Sequence, residues 1–415
     1  MLQCSRSAFK PAEPAKRGWT TWNFSSMVSQ WHRPRTAPAS STPTTTSQSA
    51  ISNWIAGMGT VPACSPCVTL SAENLHLAPN LDWISDAALL GSDLSQRLVA
   101  IHRNRTRALS QFYVSHAQGG EPYFDHELSY PSLKLPDSGY QLLALFRFWN
   151  MVEYFSPNRD IMSDDPASSR DYWSEVLVES IPRIALAADS LSYQQELIRF
   201  VAKINDTHSN LWSSLYARPP IGSCYLPVDV RFVEGVPVVL RYTSATGGPA
   251  SGLMPGDVIR QLNGIAISEL VAQWTPFYAD SNHAARLRDI GRDMIRGSCD
   301  TTSVLIQRGD QTLSLAPARM PMWELDFSAS YTHDLPGDTF QMLSADVAYL
   351  KVSSAKAADS AKYIEAAAGT RGLIIDIRNY PSDFVMFPLG SLLVSEPVDF
   401  VRSTKGDTTN PGAFY

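Results

Sequence analysis

Apolar positions in the first half of the chain recur at three- and four-residue intervals, and in the second half they alternate. In "YQLLALFRFWNMVEYFSP" the residues Leu142, Leu145, Phe146, Trp149 and Val152 fall on one helical face, and Ser156-Pro157 closes the helix. The aromatic stripe from Trp149 to Phe155 reads as core packing. Helical patterns follow in "DYWSEVLVESIPRIA" and in "SYQQELIRFVAKI", the second with Leu197, Phe200, Val201 and Ile204 on one side. Upstream, Leu94, Leu98, Ile101, Arg105 and Leu109 predict a helix over 94–114, to which no chemistry attaches.

At Cys224 the period changes. In "LPVDVRFVEGVPVVLRY" Val228, Val230 and Phe232 face one way, Glu234-Gly235 turns, and Val236, Val238 and Leu240 return. A strand over 257–262, a turn at Asn263-Gly264, the helix "ISELVAQW" and a hairpin turning at Gly309-Asp310 come next. "DVAYLKVSS", "AADSAKYIEAAAG" and "GLIIDIRNYPS" then read as strand, helix and strand, both strands apolar throughout. That is a βαβ unit of a parallel sheet, with ligands expected beyond the carboxyl ends of its strands, at 379–383. The fold class is α/β and multidomain. We place a linker at 1–50, a mainly helical domain at 51–216, a β-rich domain at 217–320 and the start of an α/β core at 321–415.

Composition narrows the function. With 44% hydrophobic and 18% charged residues the chain can bury cores, and a net charge of -6 without charge blocks gives no footprint for nucleic acid or an anionic membrane. No apolar run reaches the roughly 18 residues of a membrane span, and the first residues lack the apolar region of a signal peptide. Residues 1–50 are rich in Ser, Thr and Pro, as linkers are. Cys64 and Cys67 form a CxxC with no second pair to complete a zinc site, and no metal or cofactor is expected. Cys224 and Cys299 bracket the β-rich segment, either as a disulfide or as two buried thiols.

Of eight histidines, His208 in "INDTHSNL" sits among short polar residues just after a helical pattern. Three roles are open: catalytic base, metal ligand with Asp206, or a group that satisfies backbone at the helix end.

"ASGLMPGDVIRQLNGIAI" closely resembles the signature of a PDZ domain, which binds extended peptides by adding them as a strand. "GLIIDIRNYPS" resembles the Asp-x-Arg segment of the carboxyl-terminal processing, or tail-specific, serine peptidases, in the branch that includes the tricorn core. In that family an Asp-x-His-Ser motif precedes the PDZ domain and the catalytic core follows it; "INDTHSNL", "GLMPGDVIRQLNG" and "GLIIDIRNYPS" stand in that order across roughly residues 140–400.

The resemblance implies a serine endopeptidase that cleaves extended polypeptides through an acyl-enzyme. His208 would be the general base, and the Ser382 N–H an oxyanion donor where relatives carry glycines. Gly252, Leu253, Gly256, Asp376, Arg378 and Asn379 would contact substrate. The family's Ser-x-x-Glu nucleophile segment has no counterpart in 384–415, so the chain reads as truncated and inactive by itself. Ser353, Ser354 and Ser391 are available serines outside the family's context. Family membership implies an extracytoplasmic, periplasmic location, with a cytoplasmic one as the alternative. The rival function is a non-catalytic PDZ peptide-binding protein.

Overall fold

A computed structural model of the chain describes residues 81–105, 112–116, 121–124, 126–130, 133, 135–163, 171–396, 406–408 and 411–414. The expected linker at 1–50 and the Cys64/Cys67 pair lie outside these residues. The protein is mixed α/β, and the described residues fall into two compact units, 81–186 with 406–414, and 187–396.

The first unit is mainly helical. Helices α1 (Ala87–Leu90) and α2 (Ser92–Asn104) precede a short antiparallel ladder of β1 (Ser115–His116) and β2 (Pro122–Tyr123), then α3 (Ser138–Phe155) and α4 (Tyr172–Ala185). Asp137 caps α3 by accepting the Tyr140 N–H at 3.0 Å. Helix α2 ends at Asn104, ten residues short of the expected boundary, because the apolar stripe that suggested extension has little to pack on: Leu94 and Ile101 are 48% and 66% exposed.

The buried face of α3 is Gln141, Leu145, Phe148, Met151, Val152 and Phe155, whereas Phe146 is exposed and Leu142 and Trp149 are half-buried. The inward face is therefore rotated from the expected one. The two indoles explain Trp149: its Nε1–H donates to the Trp173 carbonyl at 2.8 Å, and the Trp173 Nε1–H returns a bond to the Trp149 carbonyl at 3.1 Å. Trp149 thus sits at the crossing of α3 and α4, where its polar edge is satisfied.

The second unit opens with α5 (Ser190–Ala202), started by a reciprocal capping box between Asp189 and Ser192. Leu197, Phe200 and Val201 are buried as expected, but the helix stops before Ile204. Strands β3 (Cys224–Tyr225), β4 (Val228–Val233) and β5 (Val236–Tyr242), the turn of helix α6 (Gly247–Ala250), and strands β6 (Val258–Leu262) and β7 (Ile265–Ala266) follow. Helices α7 (Ile267–Trp274) and α8 (His283–Asp293) lead to β8 (Arg296–Gly297), β9 (Val304–Arg308), β10 (Gln311–Leu315) and β11 (Met320–Pro321). The main antiparallel sheet runs β10-β9-β6-β5-β4, with β7 on the end of β6. Glu234-Gly235 and Asn263-Gly264 make the two tight turns with positive φ at both positions, the backbone that matches strand twist.

The inward face of β5 differs from expectation. The two-residue turn at Glu234-Gly235 sets Phe232 opposite Pro237 and Val230 opposite Val239, so Pro237 and Val239 are buried while Val236, Val238 and Leu240 are half-exposed; a bulge at Asp229/Val230 shifts the pairing only beyond that point. Val239 joins Val228, Val230, Ile259, Val304 and Ile306 in one core.

A second sheet, β12 (Phe340–Met342), β13 (Val347–Lys351) and β14 (Gly372–Asp376), holds the parallel pair β13/β14, joined through α9 (Ser360–Ala366); α10 (Met386–Gly390) follows it. The βαβ unit is as expected. Strand β14 ends at Asp376 and is not buried throughout: Ile374 is 48% exposed and Ile377, just beyond it, 73%. Among the described residues β14 is an edge, with apolar cover from α9 and α10 on one side.

Cys224 and Cys299 are bonded, at a sequence separation of 75, which selects the bridge over the two thiols. Chain-entropy cost predicts that the Cys224→Ser/Cys299→Ser double variant loses about 4 kcal/mol of stability. Urea unfolding followed by tryptophan fluorescence reads the difference, and a loss under about 1 kcal/mol would show that the unfolded chain is not constrained by the bridge.

Candidate active site

Helix α5 ends at Ala202 with Lys203 as its C-cap, and two residues beyond the cap Asn205 takes φ 52, a left-handed conformation that asparagine tolerates better than most residues. The reversal delivers Asp206 into a short turn. Its Oδ1 accepts the His208 backbone N–H at 2.7 Å and lies 3.2 Å from His208 Nδ1. A carboxylate has no proton to give, so the Nδ1–H donates and the lone pair falls on Nε2. The loop is anchored on the segment between α7 and α8: Thr207 N donates to Ser281 Oγ at 3.3 Å, Ser281 N to Thr207 Oγ1 at 3.4 Å, and Arg286 Nη2 to Asn205 Oδ1 at 3.3 Å. Asn210 adds a bond to the Thr207 carbonyl and accepts one from Arg218. His208 is half-buried, with its side chain 35% exposed. The arrangement is that of an oriented base within reach of solvent. Among the described residues no group of three or more His, Cys, Asp or Glu side chains could hold a metal ion.

A second network lies beyond the carboxyl ends of β13 and β14, and most of it was not legible in the sequence. Asp376 is 5% exposed; Oδ1 accepts from Arg378 N and Nε, and Oδ2 from Arg378 Nη2 and the Tyr349 hydroxyl, both at 2.6 Å. The Arg378 guanidinium holds the Asp376 carboxyl well below the usual carboxylate range, while burial pushes the Tyr349 hydroxyl up. Asn379 Oδ1 accepts the His333 N–H at 3.0 Å, the Ser353 hydroxyl donates to Asp334, and Lys351 Nζ donates to the Leu335 and Gly337 carbonyls. Burial lowers the His333 imidazole's proton affinity, and Arg231, Arg292, Arg378 and Arg241 add to the effect. Asn379 was expected from the position rule for parallel strands, and Asp376 and Arg378 from the Asp-x-Arg resemblance; Tyr349, His333, Asp334 and Ser353 reach the site from a strand interior and a loop without any motif. No hydrogen bond or ion pair joins these residues to His208.

The remaining expected site residues serve the fold in this conformation. The Ser382 N–H donates to the Val352 carbonyl at 3.0 Å and its hydroxyl to the Ala355 carbonyl, so an oxyanion would have to displace Val352. Leu253 is wholly buried in the sheet core. The N–H groups of Gly252, Leu253 and Gly256 go to the Pro249 carbonyl, Ser251 Oγ and the Val239 carbonyl. The serine hydroxyls are committed too: Ser353 to Asp334, Ser354 to Thr339 and Ser391 to the Pro388 carbonyl.

No family model matches the chain, and no curated protein matches it. Among solved structures it is similar to mature CPAF complexed with lactacystin, at 16% identity and a TM-score of 0.41 over 62% of this chain and 59% of that one. It is also similar to the photosystem II D1 C-terminal processing protease, at 15% identity and 0.27 over 66% and 70%, and to the tricorn protease, at 10% and 0.17 over 67% and 26%. The chain spans about 59% of the length of the CPAF structure it matches.

Asp376 carries a depressed folded-state pKa, so its contribution is present above the unfolded value and lost as pH falls below it. Asp376→Asn is expected to cost about 1–2 kcal/mol at pH 7, a figure reduced because the Arg378 side chain is 59% exposed. The gap between the two proteins should narrow by about 1 kcal/mol from pH 5 to pH 3. Urea midpoints at pH 7, 5 and 3 check this; a gap that stays constant would mean Asp376 acts through packing.

Proposed function

We propose that this chain supplies the general base and the peptide-capturing part of a serine peptidase of the tail-specific type. The observation that carries the reading is the Asp206–His208 contact, which fixes Nε2 as the accepting nitrogen on a pinned, solvent-reachable loop. In the proposed reaction a polypeptide binds in extended form and His208 Nε2 takes the proton of a serine hydroxyl. The serine oxygen attacks the scissile carbonyl, and His208 passes the proton to the leaving amine. Water then hydrolyses the acyl-enzyme through the same base. The nucleophile is a serine other than Ser353, Ser354 and Ser391, whose hydroxyls have other partners. Ser382 remains a candidate oxyanion donor if substrate displaces Val352.

Capture is assigned to residues 217–320 as a PDZ-like domain. Support comes from the edge position of β4 in its sheet. An extended peptide would add to β4 as a further strand. Asp376, Arg378 and Asn379 would then line the catalytic end of the parallel pair. An extracytoplasmic location accords with the Cys224–Cys299 bridge, since disulfides persist in oxidising compartments. No helix among the described residues is long and apolar enough to cross a membrane. The rival reading, a peptide-binding protein without hydrolysis, is favoured by the engaged Ser382 N–H.

Two outcomes separate these readings. In protein that turns over an unstructured polypeptide, His208→Ala is expected to lower kcat about a hundred- to ten-thousandfold with peptide affinity retained, whereas peptide binding without turnover supports the rival reading. A variant with normal kcat and a lowered thermal midpoint would make His208 a structural residue. Second, residues 1–415 should bind some peptides with free carboxyl ends at micromolar Kd, about -8 kcal/mol. Fluorescence polarisation across a labelled peptide library reads this, and no saturable binding by any member would remove the capture role.

A further inference from the structure

The segment that anchors the His208 loop is built on a buried pair of carboxyl groups. Asp280 is 3% exposed, and it lies between Ser281, bonded to Thr207, and the carboxyl side of Tyr278. Arg286 ties the two ends together: its Nη2 donates to the Asp280 carbonyl at 3.1 Å and to Asn205 Oδ1, and its Nε to the Tyr278 carbonyl. The Asp280 carboxyl faces Asp289 on α8 across one guanidinium, whose Nη2 lies 2.8 Å from Asp289 Oδ2 and 3.7 Å from Asp280 Oδ1. Two carboxylates this near, one of them almost wholly buried, repel, which favours a proton on one of them.

Geometry identifies which one. Arg288 meets Asp289 with both arms, Nε to Oδ1 and Nη2 to Oδ2 at 2.8 Å each, and Arg292 adds a contact to Asp289 Oδ1 at 3.3 Å. The same Arg288 is 3.7 Å from Asp280. Asp289 is therefore compensated as an anion and Asp280 is not. The other charges around the segment are also committed. Arg218 pairs with Asp293 at 2.8 Å, which in turn accepts from the Tyr278 hydroxyl; on α5, Arg199 lies over the Phe277 ring and is paired with Glu196 at 3.4 Å.

The geometry points to a proton-operated latch: a proton held by Asp280 against Asp289 keeps the 278–282 segment seated, and its loss loosens the loop that carries His208. The consequence for catalysis rests on the reading of His208 as general base, whereas the latch stands on the loop's anchorage alone. Burial and the Asp289 carboxylate raise the Asp280 pKa to about 7. With an unfolded value near 3.9, the seated state binds the extra proton between those limits, so opening becomes easier as pH rises towards about 7 and levels off above it. The proposed regulation is thus tightening of the loop in acid and release near neutrality.

Hydrogen exchange on the intact chain tests this without reference to turnover, so its failure and that of the general-base reading are distinct. After correction for intrinsic rates, amides of 205–210 should exchange at least about fivefold faster at pH 7.5 than at pH 5.5, against about twentyfold for full linkage. Protection in β9, buried in the sheet core, serves as the control for global unfolding. Asp280→Asn, a neutral stand-in for the protonated acid, should abolish the pH effect and keep the loop protected. Asp289→Asn leaves Arg288 to pair with Asp280 and should abolish it too, which covers the case in which one variant does not fold. An equal pH response in wild type and either folded variant, or none in wild type, overturns the latch.

Discussion

The second unit depends on one buried carboxylate. Asp257 is 1% exposed, at the start of β6, and Arg308 at the end of β9 meets it with Nε and Nη2 at 2.7 Å each. The same guanidinium donates to the Gly252 carbonyl, and Asp257 Oδ2 accepts the Met254 N–H. One ion pair therefore closes the 252–257 turn, joins two neighbouring strands and sets the depth at which Leu253 enters the core. Removing either partner would leave a buried charge unmet, a loss of roughly 3–5 kcal/mol in comparable pairs.

The same rule organises the rest of the unit with different donors. Asp376 recruits Arg378 and Tyr349, and Asp293 recruits Arg218 and Tyr278. Each pair closes a loop onto a strand or helix end, so the loops that carry polar groups are fixed by charge rather than by apolar contact. Asp280 is the exception, because its neighbour's arginine is already bidentate elsewhere. Asp280 meets that guanidinium only at 3.7 Å, and the proposed latch gives it a proton where the other carboxylates have a close arginine.

Periodicity conveyed most of the elements and less of their orientation. Helices α3, α4, α5 and α7, both positive-φ hairpin turns and the βαβ unit follow from spacing and turn residues. The errors lie where a local pattern could not know its tertiary neighbour. The two-residue turn at Glu234-Gly235 pairs Phe232 with Pro237 and so turns Pro237 and Val239 inward on β5, the indole bonds to α4 accompany the rotated inward face of α3, and α2 stopped where burial stopped. At the site, His208 was legible because histidine is scarce and sits among short polar residues. Tyr349 was not, because a tyrosine inside an apolar strand looks like core until its hydroxyl is seen to reach Asp376. Gly252, Leu253 and Gly256 were legible as a motif, and what the motif could not convey is that their N–H groups bond within the fold in this conformation.

The presentation of His208 follows from how α5 ends. A helix that continued through Ile204 would carry Asp206 and His208 on its surface, with side chains about 200° apart and unable to meet. The left-handed Asn205 breaks the helix, and the following turn places both groups on the same side, with one carboxylate oxygen bonded to the histidine's backbone and near its ring. Asparagine suits this position twice over, tolerating the backbone and offering a carbonyl oxygen to Arg286. Glycine would allow the turn without the anchor, and a β-branched residue would allow neither. The imidazole's orientation is therefore decided three residues upstream of the ring, by a backbone angle and a guanidinium whose other bonds hold Tyr278 and Asp280.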